Sequence, residues 1–283
     1  AQGGPFTTAQ ARACGYDARE IHRLLRSRRW TALRRGVYIE TALIPSDAAA
    51  HHVLQLRGVL LCLTNRVAAS HVTSAALHQI NLLKPDYSLV NITREGAGSS
   101  RTEAGVRHHD ASLPAGQLTK IDGILTTSAA RTVVDFARVT GFESALVAAE
   151  SALNLGLVTL AELREVLEYC VDWPGARNAG RVVSFASPYS ETPGETLGRI
   201  AFDILGLPQP SQQTWIYDAR GLIARVDYWW EQYRTVGEFD GRVKYVGAGV
   251  ADDTLLKEKK REDRLRDAGA EVFRFDWAEA WAK

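Results

Sequence analysis

With 283 residues the chain has room for about two domains, and 46% hydrophobic with 24% charged residues is the make-up of an ordinary globular protein. Thirty-four Lys and Arg against 33 Asp and Glu leave a formal net charge of +1, which excludes a basic surface overall and confines any nucleic-acid contact to local patches. There is no charged-then-apolar leader and no apolar run of about 18 residues, and Cys14, Cys62 and Cys170 lack metal spacing, so a cytoplasmic protein with reduced thiols and no membrane span is expected.

Residues 6–40 are dense in signals. Thr7 or Thr8 can cap a first helix that ends near Cys14 and Gly15. Asp17 caps a second over 18 to about 27, with Ile21, Leu24 and Leu25 on one stripe and Arg19, Arg23 and Arg26 on another. Stretches 30–33 and 36–39 read as short strands around Arg34 and Arg35. Helix, turn, helix and small hairpin is the layout of a winged helix. From Asp17 to Gly36 there are seven arginines (Arg19, Arg23, Arg26, Arg28, Arg29, Arg34, Arg35) against two acids. Guanidiniums clustered on one helix face and a wing suit DNA phosphates. The same pattern also fits a solvated amphipathic helix in a small protein-binding domain.

Residues 45–185 read as a mixed α/β segment. Helices are expected over 47–63, from a Ser70 cap through 77, from a Ser128 cap through 138, and over 142–153 and 159–169. Strands are expected over 87–93, 105–109 and 124–127, the last after an Asp122-Gly123 turn. The pairs His51-His52 and His108-His109 lack a Cys or acid at ligand spacing, and His71 and His78 read as structural. The Trp173-Pro174-Gly175 run, Gly180 and Ser187-Pro188 mark 172–190 as a linker.

The last segment reads helix (195–205), strand (214–217), turn, strand (222–230), strand, long charged helix (to 267) and strand (271–275). A hairpin turn centred between Gln232 and Tyr233 pairs Asp227 with Glu238, Arg225 with Asp240 and Trp229 with Val236. Asp227, Glu238 and Asp240 then share a sheet face with Arg225, while Val226, Tyr228, Trp230 and Phe239 read as core. Three carboxylates on one stiff face repel unless a cation lies between them, and hard oxygen donors suit Mg²⁺ or Mn²⁺. Lys244, four residues beyond Asp240, can bring an ammonium to this patch if the chain bends at Gly241. A solvated face, with Arg225 neutralising Asp240, is the competing reading.

Asp227, Glu238-Phe239-Asp240 with Lys244, and the charged run 258–265 resemble the restriction-endonuclease-like PD-(D/E)XK superfamily, closest to its very-short-patch repair branch, over roughly 188–281. Upstream the chain resembles AbiEi-type antitoxins, whose N-terminus is a winged helix. Together the resemblances imply an α+β chain: a winged-helix DNA-binding domain (1–44), a mixed α/β middle domain (45–185) and a C-terminal restriction-endonuclease-like αβββαβ domain (186–283). The superfamily's Glu-X-Lys is Glu238-Phe239-Asp240 here. The resemblance implies Glu195 as a further acid of the metal shell, and Lys259 and Arg261 as phosphate contacts. On this reading Asp227, Glu238 and Asp240 hold Mg²⁺ or Mn²⁺, and Lys244 stabilises the transition state of phosphodiester hydrolysis in DNA. The alternative is a non-catalytic DNA-binding regulator or antitoxin, which the missing lysine favours.

Overall fold

The structure, a computed structural model, describes residues 3–96, 98–241 and 252–281. Over these residues the chain is α+β, with three sheets. The first sheet orders β1 (Phe6–Thr7), β3 (Val37–Glu40) and β2 (Trp30–Arg34), and carries α1 (Thr8–Ala13) and α2 (Ala18–Arg26). Both helices start at the expected caps. The side chains of Thr7 and Asp17 accept from the backbone N–H of Gln10 and Glu20, which reach back in capping boxes. Ile21 and Leu24 bury against Ala11 and Trp30, with Phe6 edge-on to Trp30 at 4.7 Å. Strand β1 was not expected. Two residues are too few to show alternation, and pairing with Tyr38 and Val37 creates the strand.

The middle of the chain builds a six-stranded mixed sheet, ordered β6-β7-β5-β4-β9-β8. Its strands are β4 (Ala68–Ala69), β5 (Val90–Arg94), β6 (Arg101–Glu103), β7 (Val106–Asp110), β8 (Leu118–Ile121) and β9 (Ile124–Thr127). Helix α3 (Ala48–Leu60) buries Leu56 and Val59 against Val90, Ile92 and Val106, and α4 (His71–Leu77) follows β4. Ser70 stands at the expected cap of α4 but makes no side-chain cap bond, because its hydroxyl pairs with Thr93 and His71.

A helical layer follows, with α5 (Ala129–Val139), α6 (Phe142–Asn154), α7 (Leu160–Tyr169) and α8 (Ala176–Phe185). Helix α8 occupies the expected linker 172–190. Ala179, Val182 and Val183 bury one stripe of it. Its N-cap, Gly175, sits at φ 83° and presses on the Arg138 carbonyl, where any Cβ would collide. Trp-Pro-Gly therefore starts a helix here and does not mark a flexible joint.

The C-terminal part runs α9 (Pro193–Ile204), β10 (Ser211–Asp218), β11 (Gly221–Trp230), β12 (Thr235–Phe239), α10 (Asp252–Asp267), β13 (Glu271–Phe275) and α11 (Trp277–Trp281). Its four strands lie in sequence order, β12 and β13 parallel and the others antiparallel. Trp229 pairs with Val236, the expected hairpin register. Glycines Gly194 and Gly198 let α9 lie directly on the rings of Phe239, Phe275 and Tyr228. Leu197 and Ile200 of α9 and Ala280 of α11 join one core with Leu146, Ala149 and Val182.

Candidate nucleic-acid interface and C-terminal acidic site

The exposed stripe of α2 is basic because its apolar residues fall on the opposite side. Arg19, Arg23 and Arg26, with His22 between them, line one open groove. The i, i+3 and i+4 spacings of a helix bring these four side chains together. His22 is a member that the sequence reading passed over, although its spacing from Arg19 and Arg26 marks it. The nearby acids are partly used in capping: Asp17 and Glu20 hold each other's backbone N–H, and Glu20 stands 4.0 Å from Arg23. Arg28 and Arg29 are exposed in the turn after α2, with Arg28 in the left-handed region at φ 55°. Arg35 is exposed in the β2–β3 turn, and Arg34 is half-buried at the end of β2.

The C-terminal acids are placed by three elements. Glu195 lies in the first turn of α9, where Thr192 caps the helix, and it is buried. Its carboxylate accepts from the Glu191 N–H (2.9 Å), the Thr192 hydroxyl (2.8 Å) and the Gln213 amide (2.9 Å). Gln213 lies in β10 opposite Asp227 of β11, between the pairs Gln212–Tyr228 and Thr214–Val226. Its φ of 51° turns it out of regular strand geometry, and its amide also stands 3.4 Å from Asp227 Oδ1. Nothing in a Gln-Gln-Thr run advertises this bridging role.

The paired ladder of β11 and β12 ends at Tyr228 and Gly237, one step short of Asp227 and Glu238. Asp227 instead accepts the Phe239 N–H at 2.9 Å, while β12 goes on pairing with β13 through Glu238–Arg274 and Phe239–Phe275. Glu238 accepts from Arg261 at 2.9 Å and stands 3.4 Å from Arg274, which also pairs with Glu258 and Glu262. Burial pushes Glu195, Asp227 and Glu238 above the ordinary carboxylate range. Asp227's charge adds to the rise at Glu195 and Glu238, and the two arginines oppose it at Glu238.

Other expected members lie elsewhere. Arg225 pairs with Glu191 at 2.5 Å. The Asp240 N–H donates to the Phe275 carbonyl. Lys259 is exposed on α10, while Arg261 turns inward to Glu238. Lys244 lies outside the described residues. Among the described residues no three His, Cys, Asp or Glu side chains gather to hold a metal ion. As placed, Glu238 is turned to two guanidiniums.

A family model described as "Transcriptional regulator, AbiEi antitoxin" matches residues 1–41, the segment of α1, α2 and the β2–β3 hairpin. The uncharacterized proteins MT2308 and Rv2248, from two strains of Mycobacterium tuberculosis, are each 26% identical over 153 residues, 54% of this chain and 55% of theirs. The chain thus spans about half the length of these curated relatives. The crystal structure of the RV2827C protein from M. tuberculosis is similar at a TM-score of 0.43 and 15% identity, over 76% of this chain and 84% of that one. Among the described residues no helix is long and apolar enough to cross a membrane.

Proposed function

We propose that this chain is a DNA-binding transcriptional regulator of the AbiEi antitoxin type, acting in the cytoplasm, in which residues 1–44 grip the duplex and 186–283 carry a nuclease-derived fold without turnover. One coincidence carries the reading: the residues that match the regulator model are those that gather Arg19, Arg23 and Arg26 into one open groove. There the guanidiniums contact phosphates and fix the protein on the helix, with Arg28, Arg29, Arg34 and Arg35 extending the grip through the turn and wing. Capture of duplex fragments from a random pool, with EDTA present throughout, tests it. Enrichment of a defined site is expected, and failure to retain any duplex would overturn it.

A second reading, Mg²⁺- or Mn²⁺-dependent DNA cleavage, is favoured by one observation. Glu195 and Asp227 lie on either side of the Gln213 amide, both raised in pKa by burial. Asp240, Lys244 and Lys259 would complete such a site, which requires Glu238 to leave Arg261 and Arg274. Supercoiled plasmid incubated with Mg²⁺ or Mn²⁺ should stay intact on the regulator reading. Nicking that EDTA abolishes and Asp227→Asn removes would establish the nuclease instead.

A further inference from the structure

A cleft of about 420 Å³ opens in the middle of the chain, between the end of β7, α5 and the turn leading into α8. That is the size of a small-molecule site. Its floor is buried His71, Thr93 and Asp135, and its rim is exposed Ser100, Val139 and Pro174. His71 holds a left-handed backbone, φ 52°, which is rare for a buried non-glycine residue. Its ring stacks on that of His109 with centroids 3.8 Å apart.

The Asn91 amide donates to the Leu89 carbonyl, so its oxygen accepts from His109 Nε2 at 2.9 Å. The Thr93 hydroxyl donates to Ser70 Oγ at 2.8 Å, and Ser70 Oγ shares a hydrogen bond with His71 Nδ1 at 3.0 Å. None of these bonds uses His71 Nε2. Burial first, and the neighbouring arginines after it, keep the His71 ring neutral, with a pKa of about 3. Behind the rings, Arg131 and Arg138 share the single carboxylate of Asp135, at 2.7 and 2.9 Å. Arg131 is fully buried, and its Nη2 has no hydrogen-bond partner. Two guanidiniums on one carboxylate leave a positive excess in a low-dielectric pocket. Asp110 at the rim opposes a bare anion and suits a ligand that also carries hydroxyls.

We propose that this cleft binds a small hydroxylated organic oxyanion, a phosphate monoester or a carboxylate, whose charged end meets Arg138 beside the His71 ring. The test uses the full chain with three separate probes: inorganic phosphate, ribose 5-phosphate and gluconate. Readouts are the histidine ring-nitrogen NMR signals and the thermal midpoint. His71→Gly removes the ring at a φ that glycine adopts freely, and Arg138→Gln removes the charge. An organic probe should move the His71 and His109 signals and raise the midpoint of the wild type, but of neither variant. A response to ribose 5-phosphate alone assigns a phosphate monoester, one to gluconate alone a carboxylate, and one to both the shared oxyanion. No response, an adventitious ion only (a response to inorganic phosphate and neither organic probe), or a response that persists in both variants would overturn the proposal.

Discussion

His52, His71 and His109 are the side chains on which pH acts most strongly. Burial before any other cause holds their pKa values at about 4, 3 and 3. These are depressed basic groups. Above the unfolded value of about 6.5 both states are neutral and their contribution is fully present. As pH falls below that, the unfolded chain takes up protons that the folded chain refuses, and stability drops by about 1.4 kcal/mol per pH unit for each such buried ring. Glu150, Glu195, Asp227 and Glu238, raised by burial, act in the opposite direction, so the histidine contribution is read as a difference. Thermal midpoints between pH 7 and 5 should fall more steeply for the wild type than for His71→Gly, and parallel slopes would contradict the buried neutral ring. The sequence announced a structural His71, but its left-handed backbone and its stacking on a histidine 38 positions away depend on the fold. Likewise Asp227 and Glu238 were legible as a carboxylate pair. Arg261 and Arg274, which pair with Glu238, come from α10 and β13, and nothing local to them announced that pairing.

Helix α9 shows how an element is seated. It can approach the sheet because Gly194 and Gly198, one turn apart, present no side chain to it. A Cβ on Gly198 would lie 2.6 Å from the Phe275 ring and 2.7 Å from the Tyr228 hydroxyl, which itself donates to the Glu195 carbonyl. Alanine gains about 1 kcal/mol of helix propensity over glycine. The overlap forces a shift costing typically 1–3 kcal/mol or more, and the neighbours are a fully buried Tyr228 and a partly buried Phe275, each packed among other rings with little room to give. Gly198→Ala should lower the urea midpoint by an amount equivalent to about 1–2 kcal/mol, and an unchanged or higher midpoint would contradict this seating. The helices were legible wherever a cap side chain preceded a 3.6-residue stripe, as at Asp17, Asp47, Ser128 and Thr159. Strands β4 and β6, with two and three residues, were not, because so short a run shows no alternation and exists only through its partners, and β8 went unread beside its equally short partner β9. Helix α8 was hidden by Trp-Pro-Gly, whose turn signal here prepares a helix start.

At the scale of the whole molecule, the expected boundary at 185/186 runs through packed structure. Leu197 and Ile200 share a core with the helices of the middle segment, and Glu150 of α6, fully buried, receives Arg199 and Thr196 of α9. A charge pair of this kind costs several kcal/mol to break from one side, so the sequence's Pro and Gly punctuation overstated the separation. Residues 6–40 are the part where the expected elements, the observed elements and the family model coincide, and the functional account rests on them. Its most direct test is duplex affinity as a function of salt, for the wild type and for a variant with Arg19, Arg23 and Arg26 changed to Gln. Each phosphate neutralised adds about 0.9 to the fall of log K with log salt. The wild type should therefore bind with a steep salt dependence. The variant should bind more weakly at low salt, with a slope shallower by about 0.9 for each phosphate left without its guanidinium. Equal affinity and equal slope for the two proteins would contradict the account.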